Sequence, residues 1–171
     1  VQRGLGASAL GISSVGGTMN MVTKSTEAKK GGSAYFGIGN DGFRKYSVSF
    51  STGLMDNGWA ITFMGALNTG DGYVKGTSYE GWTYFGNISK KINDYHKLSL
   101  TAFGAPQWHN QRSTMHYIED YKNSPDGGRF NNGYGYINGE EVGGGYGYNY
   151  YHKPQVSLNH YWTINEKSTL A

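Results

Sequence analysis

Cysteine is absent from this 171-residue chain, so it has neither a disulfide framework nor a thiolate metal site. Proline is scarce, with 3 residues set against 28 Gly and 15 Tyr, a balance unlike that of an ordinary soluble domain. No run of about 18 apolar residues occurs, which excludes a transmembrane helix. No charged-then-apolar leader opens the chain, and it starts at Val1 without an initiator Met. A piece of a longer, already processed protein is expected. Basic residues are scattered, apart from Lys29-Lys30, Arg44-Lys45 and Lys90-Lys91, and the net charge is only +3. A nucleic-acid partner requires a concentrated basic face, and none is present.

What is present is strand periodicity. Ala34, Phe36 and Ile38 alternate with Tyr35 and Gly37 over 33–39. Tyr46, Val48 and Phe50 alternate with Ser47, Ser49 and Ser51 over 46–52. Further strands are expected over 59–68, 81–91, 97–104 and 150–162, with a seventh beginning at Ser168. Turn residues separate them at Asn40-Asp41-Gly42, Met55-Asp56-Asn57-Gly58, Asn93-Asp94-Tyr95 and Asn165-Glu166-Lys167. Residues 105–149 read as one long irregular segment. The fold class is all-β and antiparallel.

The two strand faces differ in an informative way. One carries Trp, Phe, Leu, Ile and Val, and the other Ser, Thr and Asn rather than Lys and Glu. A soluble sandwich has a well-charged exposed face, whereas a barrel in lipid is apolar outside and neutral-polar inside. The negative mean hydropathy is compatible with a barrel, since one strand face, turns and loops all meet water. Connections near Asp56, Asp94 and Glu166 are short, and those near Asp71 and across 105–149 are long. Short periplasmic turns opposite long external loops form the outer-membrane pattern. The Asn40 connection, external by parity, is the exception in its brevity. Trp59, Trp82, Tyr150 and Trp162 at strand ends suit interfacial girdles.

Near the start stands Arg3-Gly4, then Ser8, then Ser14-Val15-Gly16-Gly17-Thr18-Met19-Asn20-Met21-Val22-Thr23-Lys24. The alternation from Met19 to Lys24 reads as a short strand. This pattern resembles the end of the plug domain of TonB-dependent outer-membrane receptors, which leads into the first barrel strand. Phe103-Gly104-Ala105-Pro106-Gln107-Trp108-His109 looks like a phrase from receptors of Bacteroidetes-type bacteria. The resemblance implies that residues 1–24 end a plug, 25–32 link, and 33–171 supply about seven strands of a transmembrane barrel of about 22 strands when complete. Seven strands do not close a membrane barrel, because an open sheet edge in lipid leaves backbone groups unsatisfied.

By that resemblance Arg3, Gly4, Gly16, Gly17, Asn20 and Thr23 are structural or gating residues of the plug. The implied function is TonB-dependent import of a bulky nutrient (siderophore, haem, cobalamin, glycan or peptide) across the bacterial outer membrane. Implied partners are outer-membrane lipid, the TonB energy-transducing complex and a surface lipoprotein on the external loops. A transport-inactive barrel serving an outer-membrane assembly is the alternative, and a secreted carbohydrate-binding β protein a third.

No enzyme, cofactor or metal site is expected. Gly37-Ile38-Gly39-Asn40-Asp41-Gly42 spells a dinucleotide fingerprint, but a strand follows it where the mechanism needs a helix. Gly6-Ala7-Ser8-Ala9-Leu10 lacks the closing glycine of a nucleophile elbow. His109 and His116 match no compact metal spacing. The long segment holds the candidate ligand contacts. Trp108, His109, Gln111 and Arg112 offer stacking, amide and guanidinium groups just past a strand end. Tyr134, Tyr136, Tyr146 and Tyr148 sit among glycines as rigid amphipathic contact area on an adaptable backbone.

Overall fold

A computed structural model describes residues 2–3, 17–18, 25–112, 116–142, 148–165 and 168–170. Gly4, Gly16, Asn20, Thr23 and Tyr146, and the strand expected over 19–24, lie outside them. Two short strands open the chain: β1 (Gln2–Arg3) and β2 (Gly17–Thr18) pair antiparallel, with Arg3 opposite Gly17. A 3-10 turn, Ser25–Glu27, follows. The sheet then runs through β3 (Gly31–Ile38), β4 (Arg44–Leu54), β5 (Trp59–Gly70), β6 (Tyr79–Lys91) and β7 (His96–Gly104). Next come β8 (Gln107–Asn110), helix α1 (Ile118–Asn123), a 3-10 turn (Gly127–Arg129), β9 (Gly135–Ile137) and β10 (Glu140–Val142). The chain returns to the sheet through β11 (Tyr148–Tyr151), β12 (Gln155–Asn165) and β13 (Ser168–Leu170).

The main sheet is antiparallel, in the order β13-β12-β7-β6-β5-β4-β3, and its two edge strands do not meet. Each strand pairs with the next along the chain except across the long connection between β7 and β12. That connection is not irregular, contrary to the sequence expectation. β8 pairs with the start of β6, and β11 pairs with β8, so the wall continues above β7 and β12. The expected single strand over 150–162 is two, β11 and β12. The break falls at Pro154, and its counterpart between β7 and β8 at Pro106, because proline has no N–H for the ladder. At the second break the Pro106 carbonyl still accepts from Trp82 N at 2.8 Å. Within the connection, Asn138 (φ 53) and Gly139 (φ 84) make the doubly left-handed turn that closes the β9–β10 hairpin.

The faces sort as the alternation predicts, but their burial is inverted relative to a soluble protein. Register aligns Phe50, Phe63, Gly86, Ala102 and Val156 in one row across five strands. Ile61, Ile88, Leu100 and Leu158 form the neighbouring row. The large side chains in both rows are exposed, from Ile61 at 38% to Leu158 at 69%, while Gly86 and Ala102 are half-buried. On the opposite face Ser51, Thr62, Asn87, Thr101 and Ser157 align, and Asn87 is 1% exposed. Asn87 Nδ2 donates to Ser99 Oγ (2.9 Å) and Thr101 Oγ1 (2.6 Å), while Ser89 Oγ donates to Asn87 Oδ1 (2.8 Å). Among the described residues, Ala60 is the one buried hydrophobic residue. The sheet has its hydrogen-bonded interior on the polar side and its apolar side uncovered.

The polar face has one apolar row that the sequence reading did not single out: Met64, Phe85 and Phe103 are aligned between Ser49 and Gln155. At the end with short connections, the Ser25–Glu27 turn packs against β4, β5 and β6. Lys97 Nζ reaches Thr26 Oγ1 at 3.5 Å and lies 4.6 Å from the Tyr161 ring centre. The segment expected as linker, 25–32, thus leans on the polar face before β3 begins at Gly31.

Candidate ligand site at the long-connection rim

Where β5, β6, β8 and β11 rise above the breaks, the polar face continues upward. Asn68 pairs with Gly81 and Gly81 with Gln107, while Tyr79 pairs with both Gly70 and His109. Pleating puts Asn68, Tyr79, Gln107 and His109 on the polar side. They line a cavity of about 460 Å³ together with Thr77, Glu80, Gly81, Trp108 and Asn110. Amides, a phenol and an imidazole make up much of its wall, with Glu80 and Trp108 also lining it, so it can bind through hydrogen bonds and ring faces.

The same pleat separates two residues that the sequence groups together. Trp108 pairs with Glu80 and Tyr150, whereas His109 pairs with Tyr79 and Asn149. Trp108 therefore shares the apolar side with Trp82, whose Nε1 donates to Glu80 Oε1 at 2.9 Å, while His109 lies on the polar side; both border the cavity. Gln111 follows β8 in exposed coil. Arg112 turns to the Tyr121 ring, 5.8 Å from its centre. Tyr148 enters β11 opposite Asn110.

His116, Tyr121 and Phe130 form a small aromatic core for the connection, with ring centres 5.3 to 6.3 Å apart. His116 thus belongs to a different unit from His109. α1 begins where Tyr117 N donates to Asp120 Oδ2 (3.0 Å), a side-chain cap for an open helix end.

This unit is clipped to the rim. Arg129 pairs with Asp41 (2.6 Å), donates to the Tyr73 carbonyl (3.1 Å) and sits 4.7 Å over the Tyr73 ring. Lys75 pairs with Asp126 (2.5 Å), and the buried Asn131 donates to the Lys75 carbonyl (2.7 Å). The three connections above the sheet, 39–43, 71–78 and the long one, are thereby tied together, since Asp71 N also donates to the Asp41 carbonyl (2.8 Å). A second cavity of about 380 Å³ lies there, lined in part by Asp41, Asp71, Tyr73, Arg129, Tyr134 and Glu141. Tyr134 and Tyr136 meet edge to face at 6.2 Å. Hydrogen bonding to Tyr136, then burial and the nearby Glu141 carboxylate, push the Tyr134 phenol up to about 12.

Asp41, Tyr73 and Arg129 carry this clip, and nothing local in the sequence marks them as partners. Asn138-Gly139 is a legible hairpin signal inside the long segment. Fold and site together define an all-β protein: an antiparallel wall with a polar cavity at its long-connection rim. No known protein family, curated protein or solved structure matches the chain.

Proposed function

We propose that the chain is the end of the plug and the first part of the barrel wall of a TonB-dependent transporter in the bacterial outer membrane. The carrying observation is the inversion of burial: aligned rows of exposed Phe, Ile, Leu and Val on one face, a closed Ser/Thr/Asn network on the other. In water, leaving such side chains uncovered forgoes about 1.5–3 kcal/mol each. Against lipid the same rows are in their proper solvent, and the polar network faces the lumen. Strand length supports the reading, because β5 and β6 have 12 and 13 residues and a tilted strand needs roughly 9 to 11 to cross the apolar band. The alternation of short and long connections supports it too, as does the pairing of Arg3 with Gly17 within the plug pattern.

In this reading the chain is a transporter and not an enzyme. A bulky nutrient binds in the lumen beneath the clipped connections, contacting His109 and the amides beside it. Further strands complete the barrel and pair the open edges of β3 and β13. The TonB complex supplies energy through a region before this segment, and the external connections offer a surface to a lipoprotein.

Fractionation and solute depletion in the native host test this. The expected result is a heat-modifiable protein in the outer-membrane fraction, and a medium solute whose depletion needs both this protein and TonB. Replacing Gly16 and Gly17 together with valine leaves the barrel in the membrane and abolishes that depletion. Absence from the outer-membrane fraction overturns the reading. Membrane insertion with no TonB-dependent depletion of any solute favours the assembly role.

A further inference from the structure

On the apolar side at the short-connection end, two histidines meet across the seam between β7 and β12. His96 pairs with Trp162 and His160 with Leu98, so the two are diagonal neighbours on one face. Nδ1 of His96 lies 3.1 Å from Nε2 of His160. The ring centres are 5.2 Å apart and the planes differ by 18°, so the facing nitrogens lie between the centres and the rings meet edge to edge. Both are within reach of solutes: His160 is exposed and His96 half-buried.

An imidazole binds a metal ion through an unprotonated nitrogen. In the hydrogen-bonded pair one facing nitrogen carries the shared proton. Moving that proton to the outer nitrogen of the same ring leaves a lone pair on each facing nitrogen and changes no net charge. The spacing then decides what the pair can hold. Two nitrogens each about 2.0–2.1 Å from one ion lie roughly 2.9 Å apart at a right angle and roughly 3.3 Å apart at the tetrahedral angle. The observed 3.1 Å falls between these values, so the strand register already sets a chelating distance. Each lone pair has to turn about 40° off the line joining the nitrogens, within the broad torsional well of an imidazole ring.

Imidazole pairs suit late first-row divalent ions, and copper(II) is the most tightly held of these. Among the described residues no group of three or more His, Cys, Asp or Glu side chains could hold a metal ion, so the remaining positions go to water or to a small added ligand. Calcium and magnesium, which take oxygen ligands, do not fit a pair of imidazoles. Lys90, the cation in the row of His160, stands two strands away, about 10 Å. Its ammonium is engaged over the Trp59 ring (5.0 Å) and by the Asn57 carbonyl (2.6 Å).

The position of the pair gives a bound ion something to do. β7 and β12 are joined along the chain only through the long connection at the opposite rim. Theirs is the neighbouring pair in the main sheet with the largest loop to close, and loop entropy opposes it. An ion with one ligand from each strand would fasten that seam at the end where no chain crosses it.

We propose that His96 and His160 form a two-imidazole site for a late first-row divalent ion, copper(II) foremost, and that the bound ion clips β7 to β12. The site follows from the β7–β12 register and holds whether or not the sheet lines a membrane.

Electron paramagnetic resonance of the complete protein tests this, with copper(II) supplied as its iminodiacetate chelate. The chelate leaves room for two imidazoles, so a lone histidine elsewhere supplies only one. The wild-type protein is expected to show copper(II) coupled to two histidine rings. His96→Gln and His160→Gln, each alone, should weaken binding at least about tenfold and leave one ring at most, because the second ligand of a chelate binds intramolecularly. Saturating copper chelate should also slow amide exchange over 96–98 and 160–162 in the wild-type protein, relative to β4 and β5. A wild-type spectrum with one histidine ring or none overturns the site, even if both variants fail to fold. So does a two-ring spectrum that persists in either folded variant. Two-ring binding without slowed exchange at the seam overturns the clip.

Discussion

Asn87 is the largest side chain fully enclosed in the sheet, and it is polar. Its amide can be enclosed because it donates to Ser99 and Thr101 and accepts from Ser89. Replacing it with leucine would leave the Thr101 hydroxyl short of a partner, and the neighbouring Met64–Phe85–Phe103 row offers it no polar group in exchange. Asn87→Leu is expected to cost about 1–3 kcal/mol, the penalty for stranding a buried polar group. Equilibrium guanidinium unfolding from lipid vesicles checks this. Tyr134 gives a second residue-scale prediction, because its phenol is pushed up to about 12. The folded state favours the protonated form, so the contribution to stability is whole below the ordinary tyrosine value of about 10. It is lost as pH rises from there through about 12. A phenolate absorbance titration should show one late component that disappears in Tyr134→Phe and leaves the other tyrosines in place.

Among the elements, the long connection behaves as a unit held by few contacts. Arg129 ties it to Asp41 and Tyr73, and Lys75 ties it to Asp126. Arg129→Ala removes a part-exposed ion pair and a cation–π contact, worth together about 1–2 kcal/mol. Amide exchange over 118–134 should accelerate about tenfold while β4 to β7 keep their protection. Unchanged exchange there would show that the aromatic core of His116, Tyr121 and Phe130 holds the unit alone. The strands themselves were legible from sequence because period-2 alternation survives along β4, β5, β6 and β7, and Asn57-Gly58 marks the turn between β4 and β5, with Gly58 at φ 79. The strand pieces β8 to β11 have only 3 or 4 residues each, too short for a periodic signal. Trp108 and His109 read as one cluster in the sequence, but adjacent strand residues face opposite ways. The His96–His160 pair joins positions 64 apart, a proximity that only the β7–β12 register creates.

At the scale of the whole molecule, the sheet is a wall with two open edges, an exposed apolar side and a polar side closed by its own hydrogen bonds. The sequence reading anticipated that chemistry from alternation alone, because a side chain's face follows directly from the period. It could not anticipate how the connections fold over the rim, since ion pairs such as Arg129–Asp41 leave no local trace. The absence of cysteine allows a direct measurement. Single cysteines placed in the complete protein, in a background without other cysteines, at Val48, Leu100 and Leu158 and at their neighbours Ser49, Thr101 and Ser157, probe the two faces in turn. After reconstitution in vesicles, positions 48, 100 and 158 should resist a water-soluble maleimide, and fluorophores introduced there before reconstitution should be quenched by lipid-attached nitroxides. Positions 49, 101 and 157 should escape that quenching. Equal labelling of both sets by the water-soluble reagent, with no quenching at Val48, Leu100 or Leu158, would contradict a lipid-facing apolar side.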